Sequence, residues 1–228
     1  MRQLAVYIRP ACLAMLALIS LSSANEKLGE MWSEYEPEVH GFVEGRAGYR
    51  LQNDAYQKDM SIMETRTQLD LTSLPDWGEI VVKGDAYLDG VTERGEFDLR
   101  EANAAFTPTD FMDLKLGRQI LTWGKGDLIF INDMFPKDWQ SFFVGRDTEY
   151  LKAPSDALKA GFFSDMLNLD VVYTPRFDPD RYIKGERLSY WNGVMGQTAG
   201  QNAIIHSNKP NRWFQDEEVA ARVYRNVQ

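Results

Sequence analysis

P-E-V-H-G-F-V-E-G-R-A-G-Y-R-L, at residues 37–51, is the clearest indication of fold in this chain. Every second residue from Val39 to Leu51 is apolar or small, whereas the residues between them include Glu44, Arg46 and Arg50. Side chains of a β-strand alternate between two faces, so the pattern predicts a strand with one apolar and one charged face. Such a strand is typical of an outer-membrane β-barrel, with apolar side chains toward lipid and charges toward a wet lumen.

Residues 1–24 have the pattern of a secretory signal peptide. Two arginines make the start basic, residues 11–21 form an apolar core, and Ala24 is a small residue suited to the cleavage site. The apolar core is too short for a membrane-spanning helix. We therefore expect cleavage near Ala24, and a mature domain at 25–228 in the outer membrane of a Gram-negative bacterium.

Composition excludes several classes of function. The single cysteine, Cys12, lies in the predicted signal, so the mature chain is expected to have no disulfide or thiolate chemistry. The formal net charge of −9 makes nucleic acid an unexpected partner. No other segment is apolar enough to span a membrane as a helix, which leaves a soluble exported protein or a barrel as the two expectations.

Strand-like patterns recur along the mature chain. We predict about eight strands, at 37–51, 61–73, 79–89, 96–106, 112–122, 157–164, 167–174 and from 217 onward. Short turns at 75–78 and 107–110 alternate with long loops, of which the largest are expected at about 124–155 and 175–217. Short turns at one end and long loops at the other are typical of antiparallel transmembrane barrels.

The mature chain would have 228 − 24 = 204 residues, which is enough for about eight to ten membrane strands. Barrels of this class usually finish on a strand with a terminal aromatic residue, and Gln228 does not fit that pattern. We therefore expect the chain to be the N-terminal part of a larger barrel. The alternative is a short barrel with an unusual last strand.

Charged side chains fall on the predicted inner face of neighbouring strands. These are Glu44, Arg46, Arg50, Glu64, Arg66, Asp70, Lys83 and Asp85. Opposite charges across a water-filled passage order water and filter polar solutes, so we expect these side chains to line a pore. In a narrow barrel, by contrast, the same charges would pair with one another and fill the lumen.

Catalytic chemistry has little support in the sequence. The mature chain has only His40 and His206, and neither lies in a metal-binding motif. There is no Gly-x-Ser-x-Gly elbow, and the acidic residues between 127 and 149 are more often solvated than paired for glycoside hydrolysis. We predict that the protein is not an enzyme and has no catalytic residue, no cofactor and no metal.

Several short runs carry a resemblance to a known family. They are Leu116-Gly117-Arg118-Gln119, Trp123-Gly124, residues 132–136, Arg146-Asp147 and Tyr150-Leu151-Lys152-Ala153-Pro154. Over roughly residues 38–175 the chain resembles proteobacterial outer-membrane barrels of the porin and alginate-export type. The resemblance implies a passive or substrate-selective channel. In alginate-export barrels a lumen rich in arginine and lysine conducts an anionic polysaccharide, whereas the lumen predicted here carries as many acids as bases.

The same resemblance makes residues 123–154 the constriction loop of a channel. Its expected contacts with solute are Arg146, Asp147, Glu149 and Lys152. The aromatic residues of this loop either anchor it to the barrel or stack on sugar rings, and packing is the favoured role for most of them.

The resulting expectation is a channel that passes small polar solutes or saccharides by diffusion, with outer-membrane lipid around it. A soluble periplasmic β-sandwich that binds a ligand is the alternative, because one buried face gives the same alternation. A barrel enzyme acting on lipid or glycan is a third possibility that lacks a catalytic set. The many Gly, Ala and Thr residues on the apolar faces favour the barrel, since a soluble core needs larger side chains.

Overall fold

The computed structural model describes residues 33, 35–123, 133–206, 208–210 and 212–225. Its strands are β1 Glu38–Tyr49, β2 Met60–Ser73, β3 Glu79–Asp89, β4 Arg94–Thr109, β5 Met112–Gln119, β6 Ser155–Phe162, β7 Asn168–Thr174, β8 Tyr190–Asn192, β9 Gln197–Ala199 and β10 Glu218–Tyr224. A short helix, α1, covers Trp139–Phe143, and 3-10 turns cover Thr148–Leu151 and Gln201–Ala203. None of the described helices is long and apolar enough to cross a membrane.

Eight of these strands form one antiparallel sheet in the order β1-β2-β3-β4-β5-β6-β7-β10, while β8 and β9 form a separate hairpin. The all-β fold expected from the sequence is therefore confirmed. Along the described ranges β1 and β10 are the two edges of the sheet, and no closed barrel is found.

The predicted strands correspond to the observed ones with small shifts at their ends. The third strand has the predicted bounds, whereas β5 ends at Gln119, three residues before the predicted end at 122. The last predicted strand is β10. The predicted signal peptide, the first part of the long loop at 124–132, and residues 226–228 lie outside the described residues.

Connections of very different length lie at the two ends of the strands. At one end, here called the turn end, the links are residues 74–78, 110–111 and 163–167. At the other, the loop end, they are residues 50–59, 90–93, 120–154 and 175–217, and the last of these contains the β8–β9 hairpin. Only the link at 90–93 is short at the loop end.

The two faces of the sheet have inverted polarity relative to a soluble protein. On β2, Glu64, Arg66 and Gln68 are buried, whereas Met63, Thr65 and Leu69, at alternate positions of the same strand, are exposed. We call the face that carries Glu64 and Arg66 the inner face, and the opposite one the outer face. Charged residues are seldom buried unless they are paired, so another part of the protein must cover the inner face and supply partners for its charges.

A β-bulge explains why the sequence of β4 alternates poorly. Lys83 pairs with Glu101 but Gly84 pairs with Leu99, so Arg100 is an extra residue in β4. A bulge of this kind places two residues opposite one on the neighbouring strand. Arg100 and Glu101 both point to the inner face, where Arg100 lies near Asp98 on the same strand and Glu101 lies near Lys115 of β5.

A small apolar cluster on the inner face packs Leu121, Trp123 and Phe135 against the last strands of the sheet. It consists of Leu121, Phe135, Ala157 and Val172, with Trp123 and Ala220 packed against them. Trp123 and Phe135 meet edge to face, with ring centroids 4.9 Å apart, which is a favourable aromatic geometry. This cluster anchors Leu121, Trp123 and Phe135 on the inner side of β6 and β7.

Candidate functional site

The inner face is covered by residues 133–154, which we call the inner segment. Its two ends are held together by a bridge between Lys137 and Lys152 and by backbone hydrogen bonds from Asp138 to Leu151 (2.9 Å) and from Ala153 to Pro136 (3.0 Å). The segment is therefore a closed loop whose middle part turns across the sheet.

Helix α1 lies in that middle part, and a side-chain cap stabilises its first turn. The carboxylate of Asp138 accepts a hydrogen bond from the backbone N–H of Ser141 at 2.8 Å. This N-cap satisfies one of the amide groups that a helix start leaves without a partner. Asp138 also contacts Arg181 at 3.3 Å, which ties the start of α1 to the loop that follows β7.

Tyr150 fixes the inner segment to the sheet. Its ring lies between two arginines of the inner face, with the guanidinium carbon of Arg66 4.3 Å and that of Arg100 4.7 Å from the ring centroid. The amide of Gln68 donates a hydrogen bond to the Tyr150 hydroxyl at 2.8 Å, and only 2 % of Tyr150 is exposed. Cation–π contacts are strongest when water is excluded, so this arrangement holds the segment firmly.

Backbone carbonyls of the segment complete the contacts of Arg100. Its Nη2 donates to the carbonyl oxygen of Glu149 at 2.7 Å and to that of Lys152 at 3.2 Å. A guanidinium has five donors in a fixed plane, which suits it to fix several carbonyls at once.

A buried charge cluster lies beside Tyr150. Arg66 contacts Glu64 at 2.7 Å and Asp85 at 3.2 Å, and all three side chains are almost fully buried. Arg146 of the inner segment adds a second contact to Glu64 at 2.5 Å. Removing one member of a buried pair leaves an uncompensated charge, so these contacts make docking of the segment specific.

Two further ion pairs join the segment to the strands. Arg46 contacts Asp147 at 3.1 Å, and Lys83 contacts Glu149 at 3.4 Å and Asp70 at 3.3 Å. Burial alone would raise the pKa of Glu149, but the hydrogen bond from Gln68 and the charge of Lys83 outweigh it and leave that pKa below its ordinary value. Glu149 is therefore ionised in the docked segment.

The structure places most of the predicted pore-lining residues together. On the inner face lie Glu44, Arg46, Glu64, Arg66, Asp70, Lys83 and Asp85. Arg50 instead follows the end of β1 and donates to the carbonyls of Lys58 and Arg187 in the loops. Of the predicted constriction residues, Arg146, Asp147 and Glu149 pair with the sheet through their side chains, and Lys152 meets Arg100 through its carbonyl.

Sequence reasoning missed several members of the site. Arg181 forms two hydrogen bonds with Asp98, at 2.7 and 2.8 Å, although the loop at 175–217 is expected to be external. Asp98 and Arg100 went unnoticed because the bulge interrupts the period of β4. The sequence does give one signal for Tyr150, because it is one of the many aromatic residues of the inner segment.

Cavities lie on the inner face toward each end of the strands. The cavity at the loop end has a volume of about 380 Å³ and is lined by the ends of β3 and β4, by α1 and by residues 181–187. The cavity at the turn end has a volume of about 660 Å³ and includes Lys115, Lys159 and Arg222 in its lining. The inner segment therefore does not fill all the space over the sheet.

No protein-family model and no curated protein sequence matches this chain. The resemblance to porin and alginate-export barrels therefore rests on the quoted residues alone and stays a prediction.

Proposed function

We propose that residues 38–224 form part of an outer-membrane β-barrel channel of a Gram-negative bacterium, through which small polar solutes or saccharides diffuse. The observation that supports this proposal is the inverted polarity of the sheet. Charged side chains lie on the covered inner face, and large apolar side chains lie on the open outer face.

The outer face is hard to reconcile with water. Its exposed apolar side chains come from β1, β2, β3, β4, β5, β6 and β10, and include Val39, Val43, Met63, Leu69, Val82, Leu88, Phe97, Leu116, Leu158, Val219 and Val223. Val43 is 71 % and Phe97 is 70 % exposed. Soluble monomers rarely expose contiguous apolar patches larger than a few hundred Å². Removal of apolar surface from water is favourable by about 25 cal/mol per Å², so contact with lipid would stabilise this face.

The contents of the inner face favour a barrel wider than eight strands. An eight-stranded barrel has an interior that side chains alone can fill, or that holds one small ligand. Here the inner face accommodates the whole inner segment and still leaves cavities toward both ends of the strands. Open sheet edges are not tolerated in hydrocarbon, so we propose that strands from outside residues 38–224 pair with β1 and β10.

The inner segment would narrow such a channel. Arg146, Asp147 and Glu149 fix the segment to the sheet, so their role in the proposed channel is to position the constriction. Solutes would pass through the polar space that the segment leaves open. The resemblance to porin and alginate-export barrels suggests the same kind of channel.

The proposal is tested by fractionation, gel mobility and conductance. We expect the protein in the outer-membrane fraction, a shift in mobility between unboiled and boiled samples, and stepwise currents when the purified protein is added to a planar lipid bilayer. An antibody to residues 176–190 would follow the protein and report the mass of the boiled chain. A protein in the soluble periplasmic fraction, with no mobility shift and no current, would refute the channel and favour a soluble β-sandwich.

A further inference from the structure

The cavity at the loop end is lined by nearly equal numbers of basic and acidic side chains. Six cations line it, namely Arg94, Arg146, Arg181, Lys184, Arg187 and Lys209, together with the five carboxylates of Asp89, Glu96, Asp98, Asp138 and Glu186. A near balance of this kind would usually mean a set of structural ion pairs. Whether the charges of this cavity form such a set depends on the hydrogen bonds of each group.

Every one of the five carboxylates already has a partner. Asp89 is paired with Arg187, Glu96 with the hydroxyl of Tyr87, Asp98 and Asp138 with Arg181, and Glu186 with Arg94. Four of the five carboxylates are thus paired with arginines, and the fifth, Glu96, accepts a hydrogen bond from a tyrosine.

Two arginines of the cavity each keep one donor without a hydrogen-bond partner among the described residues. Arg187 is only 8 % exposed, and its Nη1 has no hydrogen-bond partner among the described residues, although its Nη2 contacts Asp89. Arg146 is also largely buried, and its Nε lacks a partner within the same ranges. Burial lowers the pKa of Arg187, the direction expected for a guanidinium that is removed from water.

Lys184 adds to this surplus, because it forms no ion pair with any described residue of the chain. Arginine and lysine carry donors and no acceptor, so only an acceptor group can satisfy them. A buried donor without a partner is costly, and an ionised acceptor offers the strongest hydrogen bond to a guanidinium.

We propose that this cavity binds the oxyanion group of a small solute, a carboxylate or a phosphate, through Arg146, Arg187 and Lys184. A volume of about 380 Å³ suits a small organic molecule and not a polymer. The site lies at the loop end, between the sheet, α1 and residues 181–187. The inference rests on the proposed function in one respect, namely that the bound anion is a solute that enters the channel.

Isothermal titration calorimetry on the purified full chain tests the proposal. Succinate, inorganic phosphate and glucose are titrated separately, and we expect saturable binding of at least one anion and none of glucose. Arg187→Gln should weaken that binding by about tenfold or more, because it removes a charge-assisted hydrogen bond. Lys184→Gln, on a partly exposed side chain, should weaken it by about three- to tenfold. Arg212→Gln, a change of equal charge at an exposed loop position outside the cavity, should leave it unchanged.

The outcomes are separable from those of the channel test. If Arg187→Gln fails to fold, Lys184→Gln still decides the matter. Absence of binding, equal binding of glucose, or anion binding that neither variant weakens would overturn the proposal. A protein that binds succinate or phosphate but carries no current would retain this site and refute the channel, whereas a conducting protein that binds neither anion would do the reverse.

Discussion

Tyr150→Ala tests directly which contacts hold the inner segment on the sheet. It removes a buried ring, its two arginine contacts and its hydrogen bond with Gln68. Truncation of a buried aromatic residue costs about 3–5 kcal/mol. The two cation–π contacts and the hydrogen bond are part of that sum, at about 0.5–2 kcal/mol each.

This cost is expected to appear as local opening of the segment, because the sheet itself keeps its ladder hydrogen bonds. The amides of Asp138 and Ala153, which bond to Leu151 and Pro136, report that opening by hydrogen exchange. A loss of about 3 kcal/mol corresponds to exchange about 100-fold faster or more, since each 1.4 kcal/mol is about tenfold. In a conducting channel the same variant should carry a larger current.

Two variants control for this result. Tyr150→Phe removes only the hydroxyl, so its exchange should rise by no more than about tenfold. Phe143 lies in the same segment but is 55 % exposed, and Phe143→Ala should change exchange little. If Tyr150→Ala exchanges no faster than Phe143→Ala, the ring between the two arginines does not hold the segment and the reasoning is wrong.

Three further predictions concern charge and polarity. Because the pKa of Glu149 is lowered in the docked segment, its contribution to docking is fully present above the ordinary value of 4.5 and is lost as pH falls through the lowered value. Hydrogen exchange at the Ala153 amide should therefore accelerate over that acid range. The acceleration should be smaller in Glu149→Gln. Arg46→Glu should loosen the segment by less than about 1 kcal/mol, because Asp147 is exposed, and adding Asp147→Arg should reverse part of the loss in a double-mutant cycle by hydrogen exchange. Leu69→Arg on the outer face should cost up to about 2–4 kcal/mol of barrel stability, measured by urea unfolding in lipid vesicles, and an unchanged midpoint would contradict lipid contact at that position.

Strands whose two faces are both regular could be predicted from the sequence. β3 is the clearest case, since apolar or small residues alternate with a mostly charged set along Glu79–Asp89 and both its ends were predicted correctly. β4 was less clear because the extra residue at Arg100 shifts the period, and the position of a bulge depends on pairing with the neighbouring strand. The predicted set of charged residues on β1 to β3 follows from the same alternation.

The contacts between distant parts of the chain could not be predicted from the sequence. Whether Arg146 meets Glu64, or Arg181 meets Asp98, depends on how two long loops turn back over the sheet. Alternation says which face a strand residue occupies, but it gives no information on which loop covers that face. Tyr150 was noted only as one of several aromatic residues, because its position between two arginines is a property of the folded segment.

Site-directed labelling tests the inverted polarity of the sheet most directly. The only cysteine, Cys12, lies in the predicted signal peptide, so single cysteines can be placed at Leu69, Phe97 or Val219 on the outer face, with Trp191→Cys in the β8–β9 hairpin of the loop end as control. With the protein in lipid vesicles, fluorophores at the three outer-face positions should be quenched by lipid-attached quenchers and shielded from a water-soluble quencher, and the loop position should behave in the opposite way. Outer-face positions that the water-soluble quencher reaches as easily as Trp191→Cys would contradict the account.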